Sequence, residues 1–124
     1  MKLNGALLAL VLASQAVGAQ DAPVCHCATQ CAAMWARATS DVENASGMRL
    51  RLVSDTMLQT YVTDNASRQT GTVNKLPQSD GAYAIVLTLE SSYRGQQDVQ
   101  STMASNTALF NKHLDEAGAK NQCR

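Results

Sequence analysis

The sequence predicts an α+β fold, a two-layer sandwich in which two helices pack on one face of an antiparallel four-stranded sheet. The run 82–90 is rich in apolar and β-branched residues, follows the turn signal Asp80-Gly81 and predicts an inner strand. Segments whose apolar residues recur at helical spacing lie on both sides of the strand-rich middle. Cysteines lie near both ends of the chain that remains once the N-terminal leader is set aside. The expected order is α-β-β-β-β-α, with the termini tied by a disulfide bond. The alternative is a mostly helical fold with one β-hairpin.

The leader, residues 1–19, has the layout of a secretory signal peptide. Lys2 precedes the apolar segment 6–13, and Val17-Gly18-Ala19 supplies the small residues expected before a cleavage site. The apolar segment is too short to cross a bilayer core of ~30 Å as a helix, so we expect no membrane insertion after cleavage. The mature chain would be one small domain, 20–124, that is periplasmic or secreted.

The first predicted helix covers residues 29–46. Thr29 could cap its start, and Gly47 stands where a left-handed residue would end it. Trp35 lies in the middle of the apolar stripe and is expected to seal the helix onto the sheet. The stripe recurs at helical spacing through Cys31, Trp35, Ala38, Val42 and Ala45.

Four strands are predicted between the helices, and their short connections favour an antiparallel meander. The first strand, 48–53, alternates apolar residues with two arginines. The second strand, 56–63, has two possible registers, and the pattern leaves both open. Its inward side chains are either Leu58, Thr60 and Val62 or Met57, Gln59 and Tyr61.

The third and fourth strands differ in quality. The third, 70–76, is weakened by Gly71 and closed by Pro77, so we expect it at an edge of the sheet. The fourth is the inner strand 82–90, whose alternate residues point to opposite faces. Its strongly apolar face consists of Tyr83, Ile85, Leu87 and Leu89.

The second predicted helix covers residues 96–117, with Gly118 as its expected end and Lys120 near the negative end of its dipole. His113 lies on this helix between charged residues and is expected to face solvent. The apolar stripe consists of Val99, Met103, Asn106, Phe110, Leu114 and Ala117.

Export would place the four cysteines in an oxidising compartment, where two disulfide bonds are the simplest outcome. A Cys25–Cys27 bond would close a strained ring. Cys27 and Cys31 are four residues apart, and on a regular helix their Cβ atoms would be about 5–6 Å apart, too far for a bridge. The spacing therefore favours Cys25–Cys31 together with Cys27–Cys123.

The same cysteines offer a competing interpretation. Cys25, His26, Cys27 and Cys31 are the residue types that bind copper(I) or zinc, and a strained Cys25–Cys27 bond could serve a redox role. The paired Cys-x-x-Cys spacing of a zinc site is missing, however, so disulfide formation is the favoured interpretation and no cofactor is expected.

A second candidate site is a recognition surface. Arg49 and Arg51 alternate with apolar residues on one strand face, and Tyr61 or Arg94 could join them to bind an anion or a partner. The competing interpretation is an ordinary solvated face. Asn44 and Asn65 begin glycosylation sequons, which matter only in a host that glycosylates exported proteins.

Charge and motif content exclude several function classes. Without Lys2 the chain has 9 basic and 10 acidic residues, so it lacks the basic excess needed to bind nucleic acid. Asp115 and Glu116 are adjacent on a helix and point to different faces, and no nucleophile elbow is present. We therefore expect no enzyme. The expected function is a non-catalytic binding, accessory or inhibitor-like module, and the alternative is a metal-binding or redox protein. The sequence does not identify the partner, for which another protein is one candidate.

Overall fold

The computed structural model describes residues 22–124, so the expected signal peptide lies outside the described residues. The predicted α+β class is confirmed: one antiparallel sheet and two helices make up this part of the chain, with five strands instead of four. The strand order across the sheet is β1-β5-β4-β3-β2. The elements are β1 Val24–Cys25, α1 Ala28–Ser46, β2 Leu50–Val53, β3 Met57–Thr60, β4 Thr70–Pro77, β5 Tyr83–Glu90 and α2 Gln97–Lys120.

The strand absent from the sequence prediction is β1. It pairs antiparallel with the start of β5, Val24 opposite Ala84 and Cys25 opposite Tyr83. Two residues are too few for an alternating pattern, and for this reason the sequence does not reveal them. Among the strands of residues 22–124, β5 consequently has a neighbour on both sides only along its first half.

The expectation that the third predicted strand lies at an edge is wrong. β4 lies between β3 and β5, paired along its whole length with β5. Gly71 is needed because α1 passes close above it: a Cβ at this position would lie 3.1 Å from Val42 Cγ2. Lys75 N–H points toward β3 and donates to Thr56 O at 2.9 Å. Pro77 lies two residues further on, so its nitrogen faces the same side, but at a point beyond the end of β3. Pro77 is tolerated because no N–H is needed there.

The inner face of the sheet carries the core. Ile85 and Leu87 are buried beneath the helices, and Tyr83 and Leu89 pack against the same cluster, as predicted. The open register of the second predicted strand is resolved toward Leu58 and Thr60, which are both fully buried. Val62, the third residue of that register, lies beyond the end of β3 and is exposed, so the prediction is wrong there.

The first helix differs from the prediction at its start, while Trp35 packs against the core between the helix and the sheet as expected. α1 begins after Cys27, which makes no side-chain cap, so Thr29 is not the cap. Trp35 is only half-buried; its indole N–H donates to Ser54 O at 3.1 Å, and the Lys75 ammonium lies 4.9 Å from its ring centre. Gly47 ends the helix with φ +73°, as predicted.

The second helix runs past its predicted end. Gly118 lies inside α2, buried against α1, where a Cβ would come within 2.8 Å of Met34 Sδ. Met34 and Phe110 fill the interface between the helices and are each 1% exposed. The glycine is therefore a close-approach position, and Gln30 Nε2 donates to its carbonyl at 3.0 Å.

Two disulfide bonds, Cys25–Cys31 and Cys27–Cys123, are present, which is the pairing that the spacing favours. The first bond ties β1 to the first turn of α1. The second joins residues 96 positions apart and places the end of α2 beside the start of α1. Neither helix within residues 22–124 is both long enough and apolar enough to span a membrane.

Candidate functional site

A groove of about 930 Å³ opens between β5 and α2. Leu87 and Leu89 of β5 form part of its apolar lining, and Ala22 stands at the end nearest β1. α2 supplies the facing wall through two rows of side chains spaced four residues apart, which therefore lie on one face of the helix. The upper part of this wall consists of Met103, Ala104, Thr107, Ala108 and Asn111.

The backbone of β5 opens toward this groove. The N–H of Ile85 donates to Pro23 O at 2.8 Å, so the polar groups of Ile85 face the β1 side and not β4. Residues of the same parity direct their N–H and C=O groups the same way. Those of Leu87 and Leu89 therefore point along the groove, and within residues 22–124 no strand pairs with them there.

The direction of α2 relative to β5 follows from the connections at both ends. The chain reverses between Glu90 and Gln97, so the first turns of α2 lie near the end of β5. The bond between Cys27 and Cys123 holds the last turns of α2 beside β1, which pairs with the start of β5. The groove thus runs from Met103, beside the end of β5, to Ala22 and the last turns of α2.

The charges of the groove are gathered toward the Ala22 end. Lys112, Asp115 and Glu116 line it there, one cation against two carboxylates. Burial at the groove wall raises the pKa of the Asp115 carboxyl above its ordinary value. The raised pKa weakens the negative charge of Asp115 only near its own titration, so at neutral pH the two carboxylates outnumber Lys112 and this end of the groove favours a cationic group, while the opposite end is mainly apolar.

A buried carboxylate holds the α2 wall in place. Asp41 on α1 is 5% exposed, and its Oδ2 lies 2.6 Å from His113 Nδ1 and 3.2 Å from Arg37 Nε. The expectation that His113 faces solvent is wrong, since its imidazole bonds across to α1. Nearby, Asn106 Nδ2 donates to Ala45 O at 3.0 Å. These contacts tie α2 to α1 and position it.

The predicted recognition residues are only partly brought together. Arg49 and Tyr61 border one shallow depression with Arg68, and Tyr61 N–H donates to Arg49 O at 3.0 Å. Arg51 lies on β2 itself, where its guanidinium donates to Gln59 Oε1 at 2.9 Å. Arg51 is not among the residues that border the depression beside Arg49 and Tyr61.

The predicted metal ligands are committed elsewhere. Cys25, Cys27 and Cys31 are all in disulfide bonds, so this oxidised chain offers no thiolate beside His26. His26 is exposed, and its backbone N–H donates to Gln30 Oε1 at 2.8 Å. Across residues 22–124, no cluster of three or more metal-ligating side chains forms.

Comparison of the chain with protein-family models, with curated proteins and with solved structures found no match. The groove itself was not foreseen from the sequence. The sequence contains one feature that belongs to the groove: Ala104 and Ala108 place two small side chains four residues apart on α2, next to Met103 and outside the apolar stripe that is buried. That signal becomes meaningful only when the open edge of β5 is known to lie opposite.

Proposed function

We propose that this chain is an exported, non-catalytic binding domain that captures an extended segment of another polypeptide in the groove between β5 and α2. The observation that carries the proposal is the pair of residues Leu87 and Leu89, whose backbone N–H and C=O groups face an apolar groove. These four polar groups are arranged to hydrogen-bond one further strand.

Strand addition is a common way to bind a peptide. Main-chain hydrogen bonds supply affinity, and pockets for alternate side chains supply specificity. The edge of β5 already accepts a strand in this way, because Pro23 and β1 pair with its first half. A partner segment would continue that pairing over Leu87 and Leu89.

The helix wall favours the same interpretation. Ala104 and Ala108 have short side chains and leave space above the strand edge. α2 is held in position by the bond to Cys123 and by the contact between Asp41 and His113. A preformed groove reduces the ordering cost of binding, so the occupant needs few contacts to bind measurably.

Compartment and covalent chemistry agree with an exported protein. The two disulfide bonds fit an oxidising environment, and residues 1–19 have the layout of a signal peptide. The proposal of export is tested by isolating the protein from its native compartment. We expect an intact mass that matches a chain beginning at Gln20, with all four cysteines in disulfide bonds.

The groove is tested by selecting peptides from a random display library against the chain 20–124 and measuring their affinity by calorimetry. Ala108→Trp, a substitution at an exposed position, should fill the groove and weaken binding at least tenfold. Ala36→Trp, on an exposed face of α1 outside the groove, is the matched control and should bind normally. Amide resonances of Leu87 and Leu89 should shift on binding.

The alternative binding surface, at Arg49 and Arg51, is tested with a second variant. Arg49→Glu combined with Arg51→Glu should fold and should leave peptide affinity unchanged. If that pair abolishes capture while Ala108→Trp does not, the binding surface lies at the β2 side and the groove proposal is wrong. Failure to select any peptide that distinguishes Ala108→Trp from Ala36→Trp would also overturn it.

A further inference from the structure

We infer that the depression bordered by Arg49, Tyr61 and Arg68 binds a tetrahedral oxyanion, a phosphate or a sulfate group. The depression has a volume of about 430 Å³ and shares no lining residue with the groove between β5 and α2. The inference therefore goes beyond the proposed function and does not depend on it. It also differs from the surface expected from the sequence, because Arg68 borders the depression and Arg51 does not.

Three side-chain donors reach this depression from two sides. Arg49 and Tyr61 lie just outside the paired ends of β2 and β3, and Tyr61 N–H donates to Arg49 O at 3.0 Å. Residues directly opposite each other in an antiparallel pair project their side chains to the same face of the sheet. Arg68 reaches the depression from the connection between β3 and β4.

Arg68 is held in position by its neighbours. Its N–H donates to Asn65 O at 3.3 Å. Gln69, the next residue, is 2% exposed and donates its N–H to Ser46 O at 2.9 Å. The aliphatic part of the Arg68 side chain lies over Gly47, where a Cβ would come within 3.3 Å of Arg68 Cγ. A residue held in this way needs little further ordering when a ligand binds.

The end of α1 leaves little need for Arg68 as a capping group. The partial negative charge of a helix C-terminus resides on its last carbonyls, which lack partners within the helix. Here the carbonyl of Ser46, the last residue of α1, accepts the Gln69 N–H, and that of Glu43 accepts the Gly47 N–H at 2.8 Å. Backbone donors therefore serve these two groups, and the Arg68 guanidinium is left for another partner.

The positive charge at the depression has no carboxylate partner among residues 22–124. The ion pairs in this part of the chain join Asp41 to Arg37 and to His113. None of the five described residues that line the depression is acidic. Arg49 and Arg68 are both exposed, so a ligand from solvent can reach each guanidinium. Two like charges at one depression favour an anion as that ligand.

The donors also select the class of anion. A guanidinium binds carboxylate or phosphate oxygens through two parallel N–H bonds, and the Tyr61 phenol supplies one more O–H donor. One arginine is already sufficient for a carboxylate, which has two oxygens and a single negative charge. Two arginines and a phenol instead match a tetrahedral ion, which has more oxygens and carries up to two negative charges.

NMR titration of the disulfide-bonded chain 20–124 with sulfate and with phosphate, at pH 7 and constant ionic strength, tests the inference. The side-chain Nε–H signals of Arg49 and Arg68 should shift and saturate, whereas chloride and acetate should cause no saturable shift. Ethyl phosphate identifies the source of the group. Tighter binding of this ester than of inorganic phosphate would assign a group carried on an organic molecule, and the reverse order would assign the free ion.

Variants distinguish a specific site from a general attraction of anions. Arg68→Gln should weaken sulfate binding about tenfold, because it removes a charge-assisted contact. Arg68→Lys keeps the charge but loses the planar fork, so it should also bind sulfate more weakly than the unmodified chain. Arg51→Gln removes an equal charge outside the depression and is the matched control, for which we expect unchanged binding.

Three results would overturn the inference: full sulfate affinity in Arg68→Gln or Arg68→Lys, equal weakening by Arg51→Gln, or saturable shifts with chloride equal to those with sulfate. None of these measurements involves the groove between β5 and α2, so such a failure would leave the proposed function standing. Failure of the peptide selection would likewise leave the oxyanion site untouched.

Discussion

The two edges of the sheet are built differently. β2 is a four-residue edge strand whose pairing with β3 is interrupted by a register shift between Leu50 and Leu52, and Arg51 lies at that irregularity. The β5 strand is eight residues long and regular and carries no charge before Glu90, and within residues 22–124 β1 covers only the first part of its edge. Bulges and charged residues are the usual means by which edge strands avoid pairing with other chains.

The contrast shows how an open strand edge can be kept for a purpose. At the β2 edge, irregular backbone and an arginine discourage pairing even though Val53 nearby is 60% exposed. At the β5 edge neither device is present within Tyr83–Leu89, and α2 stands in front of the edge instead. An edge shielded by a helix on one side admits a single narrow strand, which suits recognition better than aggregation.

The largest expected effect is loss of the bond that holds the α2 wall. Cys27→Ala with Cys123→Ala should lower the free energy of unfolding by about 4–5 kcal/mol, because the bond closes a long loop in the unfolded chain. Urea denaturation measures this loss. Amide hydrogen exchange should accelerate most in α2 and less in β2 and β3. Equal acceleration at the β2 edge and in α2 would contradict the idea that this bond holds the α2 wall in particular.

The buried carboxylate is expected to have the next largest effect. Asp41→Ala removes the partner of Arg37 and His113 between the helices and should cost about 2 kcal/mol of unfolding free energy. Asp55→Ala, at an exposed turn beside β2, is the matched control and should change stability very little. A loss of similar size in both variants would show that the contact between the helices contributes nothing special.

Close approach of the helices can be tested separately. Gly118→Ala should lower the free energy of unfolding by about 1 kcal/mol, because the pressure of its Cβ on the buried Met34 costs about 2 kcal/mol and the higher helix propensity of alanine returns about 1 kcal/mol. Gly95→Ala meets no atom within 4 Å and should be nearly neutral. Thermal unfolding of the two variants compares them directly, and a neutral Gly118→Ala would refute this packing argument.

The protection of the β2 edge predicts a change in association rather than in stability. Arg51→Val removes the charge at the irregular edge and should increase self-association at high protein concentration, with a stability change below about 0.5 kcal/mol. Arg49→Val, just outside β2, is the control and should remain as dispersed as the unmodified chain. Sedimentation velocity distinguishes the two; no difference between them would mean that backbone irregularity alone protects this edge.

The smallest expected effect concerns the pH dependence of Asp115. Burial raises the pKa of its carboxyl above the ordinary 3.8, so the folded chain holds this proton more tightly than the unfolded chain. Stability therefore falls as pH rises from 3.8 through the folded pKa. Asp115→Asn should be slightly more stable at pH 7, and the difference should vanish below pH 3.8. Urea titrations at pH 3 and pH 7 measure it, and a less stable variant at pH 7 would contradict the sign.

Local patterns were sufficient for several features of the fold. The alternation in Tyr83–Leu89 identifies the face that is buried, and Gly47 marks the end of α1 because few other residues adopt its left-handed conformation. The spacing of the N-terminal cysteines limits their possible bonds enough to favour the observed pairing. Each of these signals lies within a few residues of the feature it predicts.

Features that depend on distant partners were missed or misplaced. Gly71 and Pro77 suggest an edge strand when taken alone, yet β4 is central. Gly71 is present because α1 passes close above it, and Pro77 is tolerated because β3 ends before it. His113 meets Asp41 across 72 positions of sequence, so neighbouring charges gave no indication of its partner. Sequence spacing carries no direct information about such contacts.

The sequence alone determined the α+β class, the buried face of the inner strand and the preferred disulfide bonds, since periodicity and spacing act over short distances. Tertiary structure alone decided which backbone groups of β5 lack a partner strand within residues 22–124. Leu87 and Leu89 face a groove because β1 is short and α2 returns alongside β5, and both facts arise from packing between segments far apart in the chain.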